Sequence, residues 1–195
     1  VGGGLSILRN DGSGGFPSQT GIDTGLITTD ALAIGDMNGD GLNDIVMATS
    51  DPSAAGASVR SYLNNGLGGF LPQTPAGAGP APKDIVLCDV DQDGDLDVVT
   101  ANSGANQGGS PDQTLSILKN NGSGSFAPAV HLALGTQPRA IALGDLNRDG
   151  NPDLVVANVG GSVQVLLGNG TGSFVPQSPL ALGGTLGDVA LGDMD

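Results

Sequence analysis

Short runs of Val, Ile, Leu and Ala alternate along this chain with stretches of Gly, Asn and Asp. Runs such as IVMAT (45–49), VVTAN (98–102) and LVVAN (154–158) are bounded by turn residues and too short for helices, so they read as strands. Other segments alternate, as in Val163, Val165 and Leu167 with Gln164 between, the period of a strand with one face against a core. Asn-Gly and Asp-Gly pairs supply the positive φ angles that tight hairpins need. No stretch shows a convincing helical period. The pattern predicts an all-β protein.

The pattern also repeats. Segments ALAIGD (31–36), DIVLCD (84–89), AIALGD (140–145) and DVALGD (188–193) are versions of one element. The first three run into acidic loops, DMNGDGLND (36–44), DVDQDGDLD (89–97) and DLNRDGNPD (145–153), each followed by an apolar run. A second pair of elements then surrounds a turn: SYLNNGLGGF (61–70), SILKNNGSGSF (116–126) and QVLLGNGTGSF (164–174), and the chain opens on the same unit, SILRNDGSGGF (6–16). The four Phe residues, Phe16, Phe70, Phe126 and Phe174, mark a period of about 50 residues. Each repeat reads as four strands: A before the acidic loop, B after it, C before the Asn-Gly turn and D from the Phe onward. A and B are nearly continuous apolar runs and are expected to be buried on both faces.

Four-strand repeats of this length predict a β-propeller of four-stranded antiparallel blades. The boundaries are 1–29 (strands C and D), 30–80, 81–136, 137–185 and 186–195 (strand A only). This is about three complete blades with partial blades at both ends, in one propeller over 1–195 that further blades or another chain would complete.

Charge narrows the function. The net charge is −14, all 20 acidic residues are Asp, and only six Lys or Arg are present. Few cations to neutralise phosphates argue against a nucleic-acid partner. No apolar run reaches the length of a membrane helix, which excludes helical insertion. Cys88 is the sole Cys, at the end of an apolar run, and reads as a small buried hydrophobe.

The run GDxNxDGxxDLVVAN followed by VxVLLGNGxGSF resembles the FG-GAP or VCBS repeat, and the resemblance covers essentially the whole chain. It implies the propeller of integrin α-subunits and of many secreted microbial proteins. Low Lys and absent Glu, with much Gly, Ala, Ser, Thr and Asn, agree with a secreted or cell-surface location.

A nine-residue loop with oxygens at positions 1, 3, 5 and 9 can wrap one hard cation, with the position-7 carbonyl as a fifth ligand. The three loops give Asp36, Asn38, Asp40, Asp44 and the Leu42 carbonyl; Asp89, Asp91, Asp93, Asp97 and the Asp95 carbonyl; and Asp145, Asn147, Asp149, Asp153 and the Asn151 carbonyl. A fourth loop begins at Asp193 and Asp195. Gly at position 6 permits the reversal that returns position 9 to the metal. An EF-hand needs an acid at position 12, where these loops carry Met47, Thr100 and Val156, so that reading and the dockerin reading fail. Asp also suits ordinary surface turns, but three loops with the same positions filled favour Ca²⁺; Mg²⁺ demands a stricter octahedron. Asn121-Gly-Ser and Asn169-Gly-Thr match glycosylation acceptors and are equally the turn residues of C–D hairpins.

The expected function is a non-enzymatic, extracellular, calcium-braced scaffold for adhesion or recognition. Its partner would be a protein or glycan, bound on the face opposite the acidic loops by the variable connections Ser50–Ala57 and Ser103–Thr114. The absence of Glu and the single His131 and Tyr62 leave few catalytic candidates. Alternatives are a lectin-like propeller, a propeller accessory to a secreted enzyme, and a structural unit of a surface assembly.

Overall fold

The computed structural model describes residues 3–26, 29–50, 57–104, 113–134 and 136–193. Among them are sixteen strands and no helix. Each complete repeat folds into one antiparallel sheet in the order A-B-C-D. The first holds β3 (Ala31–Gly35), β4 (Asp44–Thr49), β5 (Ser58–Asn64) and β6 (Phe70–Pro72), with β7 (Ala76–Gly77) also pairing with β5. The second holds β8 (Pro82–Cys88), β9 (Asp97–Asn102), β10 (Thr114–Leu118) and β11 (Val130–Ala133). The third holds β12 (Pro138–Gly144), β13 (Asp153–Asn158), β14 (Ser162–Gly168) and β15 (Phe174–Pro176), with β16 (Leu180–Ala181) also on β14. β1 (Gly3–Arg9) and β2 (Ser18–Leu26) pair as a C–D hairpin. These are blades of the propeller type, and the described sheets do not close into a ring.

Strand D is broken in every complete repeat because proline cannot donate to a ladder. Pro72 and Pro75 separate β6 from β7, Pro176 and Pro179 separate β15 from β16, and Pro128 lies between the lone Asn120–Phe126 bridge and β11. An outer edge strand tolerates this, and a broken edge is a poor template for unwanted pairing.

Burial follows position in the sheet and corrects one expectation. Every residue of β4, β9 and β13 is buried, as a B strand with hydrogen-bonded neighbours on both sides and apolar packing against the adjoining sheet favours. The A strands are not buried on both faces. They are sheet edges, and in β3 Leu32 and Ile34 are 49% and 62% exposed. Their counterparts Ile85 and Ile141 are buried because each meets the core beneath the preceding sheet. In β14 the residues turned furthest from water are Gln164 and Leu166, while Val163, Val165 and Leu167 are half-buried. The A segment expected at 186–195 forms no strand over its described residues 186–193, where no B strand pairs with it.

Three apolar clusters bind neighbouring sheets together. One joins the second and third sheets through Val90, Val99, Leu115, Ile141, Leu154 and Leu166. Another joins the first and second through Met37, Val46, Val59, Ile85, Val98 and Leu118. A third seats the β1–β2 hairpin on Ile45, Met47 and Tyr62. Burying a side chain the size of Leu154 contributes about 1.5–3 kcal/mol, so these seams hold the blades in order.

Candidate metal centre

The three acidic loops connect β3 to β4, β8 to β9 and β12 to β13, and they share a backbone frame. The position-1 carboxylate sits inside the loop and accepts its N–H groups. Asp36 accepts from Gly39 and Gly41 at 2.8 Å each, Asp89 from Asp93 and Gly94 at 3.1 and 3.0 Å, and Asp145 from Asp149 and Gly150 at 3.1 and 3.0 Å. In Asp36 these donors hold the carboxyl below its ordinary range, the Gly41 N–H foremost. The crowded charge is therefore relieved in part by the loop's own amides.

Position 9 does more than the spacing suggests. Asp44, Asp97 and Asp153 are fully buried, and each ties two segments together. One oxygen accepts the N–H of position 2: Met37 at 2.9 Å, Val90 at 3.0 Å, Leu146 at 2.8 Å. The other accepts an N–H at the start of the C–D turn: Asn64 at 2.7 Å, Asn120 at 2.7 Å, Gly168 at 2.8 Å. This places the acidic loops and the Asn-Gly turns at the same end of each blade. The turns close on their own side chains: Asn65, Asn121 and Asn169 Oδ1 accept from Leu67, Ser123 and Thr171 N–H at 2.9, 3.1 and 3.0 Å.

Two positions carry left-handed backbone. Position 6 does so through Gly41, Gly94 and Gly150, as its sequence predicts. Position 4 does so as well, with φ of 71° at Gly39, 60° at Gln92 and 62° at Arg148. Gly39 was the only hint of this in the sequence.

The loops differ at position 3. In the first and third, Asn38 and Asn147 accept the position-5 N–H through Oδ1, at 3.2 and 3.0 Å. Their Nδ2 groups donate to Asp40 and Asp149 Oδ2 at 3.0 and 2.8 Å. Amide and carboxylate satisfy one another there. In the second loop position 3 is Asp91, which has no amide to give. Oxygens of Asp89, Asp91 and Asp97 lie within 4.8 Å of one another, the one such acidic group among the described residues. Asp91 Oδ2 pairs with Lys119 Nζ at 2.8 Å, while Oδ1 is buried with no hydrogen-bond partner. Burial, reinforced by the charges of Asp91 and Asp93, pushes the Asp97 carboxyl up to about 6. An orphaned buried carboxylate oxygen among converging carboxylates suits a hard cation with oxygen ligands, so the donor set fits Ca²⁺.

The remaining site residues are placed as follows. Asp93 accepts the Asp95 N–H at 2.9 Å and is not in the converging group. Asp193 is exposed, and Asp195 lies outside the described residues. Most of Ser50–Ala57 and Ser103–Thr114 also lies outside them. His131 Nδ1 is 3.0 Å from Ser116 Oγ, which also accepts from Gly79 N and Asn102 Nδ2, so the imidazole completes a structural network. Cys88 is buried, and burial pushes its thiol up to about 12, which removes it as a nucleophile near neutrality.

An all-β chain of sequential four-stranded blades with an acidic loop between the first two strands of each is a propeller-blade repeat protein. The model of the FG-GAP-like repeat matches residues 36–100, 89–156 and 145–195, and the chain belongs to that family. No curated protein matches the chain.

Proposed function

We propose that this chain is a non-enzymatic extracellular scaffold in which Ca²⁺ braces the A–B loops and partners bind at the opposite end of the blades. The observation that carries the reading is the convergence of Asp89, Asp91 and Asp97 around the orphaned Asp91 Oδ1. There Asp89, Asp91 and Asp97, joined by Asp93 at position 5 as in the other two loops, would hold the ion, which supplies the positive charge that no side chain brings to Oδ1. Asp36, Asp40 and Asp44 with Asn38, and Asp145, Asp149 and Asp153 with Asn147, form the corresponding sets. In these, the position-3 amide would offer Oδ1 to the metal and give up its Nδ2 bond to the position-5 carboxylate. The Leu42, Asp95 and Asn151 carbonyls complete the three sets. Millimolar extracellular Ca²⁺ suits sites of this kind.

Recognition is assigned to the other end by contrast between repeats. The end that carries the acidic loops is nearly uniform. The B–C connections run from the tight Val159–Gly161 turn in the third blade to the long Ser103–Thr114 segment in the second. Calorimetric titration of EDTA-treated protein is expected to show about three Ca²⁺ sites, and Ca²⁺ should raise the melting temperature by mass action. Asp93→Ala should remove one site. A melting temperature indifferent to EDTA and to added Ca²⁺ would defeat the metal reading. Replacing Ala105–Asp112 by a short Gly-Ser turn should leave Ca²⁺ binding intact and reduce partner binding.

A further inference from the structure

The second repeat differs from its neighbours at two places that touch. Position 3 of its acidic loop is Asp91, where the first and third loops have Asn38 and Asn147. Seven residues before its Phe it carries Lys119, where the first and third repeats carry Leu63 and Leu167. The extra carboxylate and the extra ammonium occur in the same repeat and meet at 2.8 Å. Lys119 Nζ also donates to the Thr171 carbonyl at 2.8 Å, in the C–D turn of the third sheet. Beside it the Gly172 N–H donates to the Val90 carbonyl at 2.8 Å, so the second loop and the third sheet's turn are joined twice.

We propose that Lys119 is a built-in counter-ion of the second acidic loop, which lowers the affinity of that loop for Ca²⁺ and fastens it to the neighbouring blade when the ion is absent. The proposal rests on the Ca²⁺ reading above. Four aspartates at the ligand positions give the second loop one more negative charge than either neighbour, and that charge alone would make it the tightest of the three sites. The ammonium offsets it. A cation bonded to Asp91 Oδ1 would share one carboxylate with Lys119 on Oδ2, two positive charges a few ångströms apart with water on one side. Repulsion at that separation and partial exposure changes affinity by about tenfold. Lys119 thereby sets the calcium concentration at which the second loop fills.

The test is calorimetric titration with CaCl₂ of EDTA-treated wild type, Lys119→Met, Lys119→Arg and the double variant Asp91→Asn/Lys119→Met. Lys119→Met keeps the length and packing of the side chain and is expected to tighten one site about tenfold, leaving the other two within twofold. Lys119→Arg keeps the charge and should behave as wild type. The double variant copies the first and third loops and should bring the second site within twofold of them. In an Asp93→Ala background, which lacks the second site, Lys119→Met should change neither remaining site. In EDTA, Lys119→Met should melt below wild type. If Lys119→Met weakens the second site, leaves it unchanged, or shifts all sites alike, the proposal is overturned. If wild type itself takes up no Ca²⁺, the calcium reading fails first and the role of Lys119 falls with it. If Lys119→Met does not fold, equal affinity of wild type and Lys119→Gln overturns the proposal, and a tighter second site in Lys119→Gln upholds it.

Discussion

The second acidic loop and the third share a nine-residue pattern and a backbone frame, yet they solve the same electrostatic problem differently. In the third loop, Asn147 gives Asp149 a donor and takes the Asp149 N–H in return, so the position-3 and position-5 side chains satisfy one another. In the second, Asp91 can only accept. It draws Lys119 from the C–D turn of its own blade and leaves one oxygen buried without a partner. One atom at position 3, nitrogen or oxygen, decides whether a loop is self-sufficient or is left seeking a cation. What the loops hold in common lies elsewhere, in the position-9 aspartate that staples each loop to a turn.

That common part should show the largest effect. Asp153→Ala leaves the N–H groups of Leu146 and Gly168 without their acceptor, and a group so orphaned costs about 1–3 kcal/mol, so denaturant unfolding should report a loss of about 3 kcal/mol. Asp44→Ala should cost a similar amount in metal-free protein. A large loss at one loop and none at the other would break the claim of a shared staple.

The next experiment sharpens the contrast. Asn147→Asp turns the third loop into a copy of the second without its lysine. It removes the donor to Asp149 and sets two carboxylates against each other, so metal-free stability should fall by about 1 kcal/mol. Calcium affinity of that site should rise. A variant that neither loses metal-free stability nor gains affinity would show that position 3 is not the deciding difference.

Titration gives a third handle, confined to the second loop. Asp97 has its carboxyl raised from 3.8 to about 6 by burial, with Asp91 and Asp93 adding repulsion. The native state therefore holds this proton more tightly than the unfolded chain. This contribution to metal-free stability is present below about pH 4 and is lost as pH rises through about 6. After allowing for screening by water at the loop surface, the decline is on the order of 1 kcal/mol. Unfolding of metal-free protein at several pH values, against Asp97→Asn, should isolate it. An identical slope in the two proteins would remove Asp97 as the source.

The smallest effect concerns position 4. Arg148 adopts a φ of 62° that glycine accepts freely, so Arg148→Gly should be neutral or stabilising by about 0.5 kcal/mol despite adding a flexible residue. Gln92→Gly should gain less, because Gln92 Nε2 also donates to the Gly150 carbonyl and to Asn151 Oδ1.

The order of the four strands within a complete blade, the turns and the acidic loops were legible along the chain, because each is a local choice. Asn-Gly pairs favour tight reversals, β-branched runs favour strands, and a period of about 50 residues repeats both. Burial of the B strands was legible too, since DIVMAT, DVVTAN and DLVVAN offer little to water. The half-exposed A strands were not, because Leu32 reads like Ile85 and only the sheet before each distinguishes them: a full blade before Ile85, a two-stranded hairpin before Leu32. Nor could spacing reveal that Asp44, Asp97 and Asp153 take amides from a turn some twenty residues away, or that Lys119 reaches Asp91. A repeated motif determines the local frame at every copy. Which distant amides a buried aspartate takes, and which neighbouring turn Lys119 also reaches, depends on residues far away in sequence, and these were set only when the strands paired and the blades packed together.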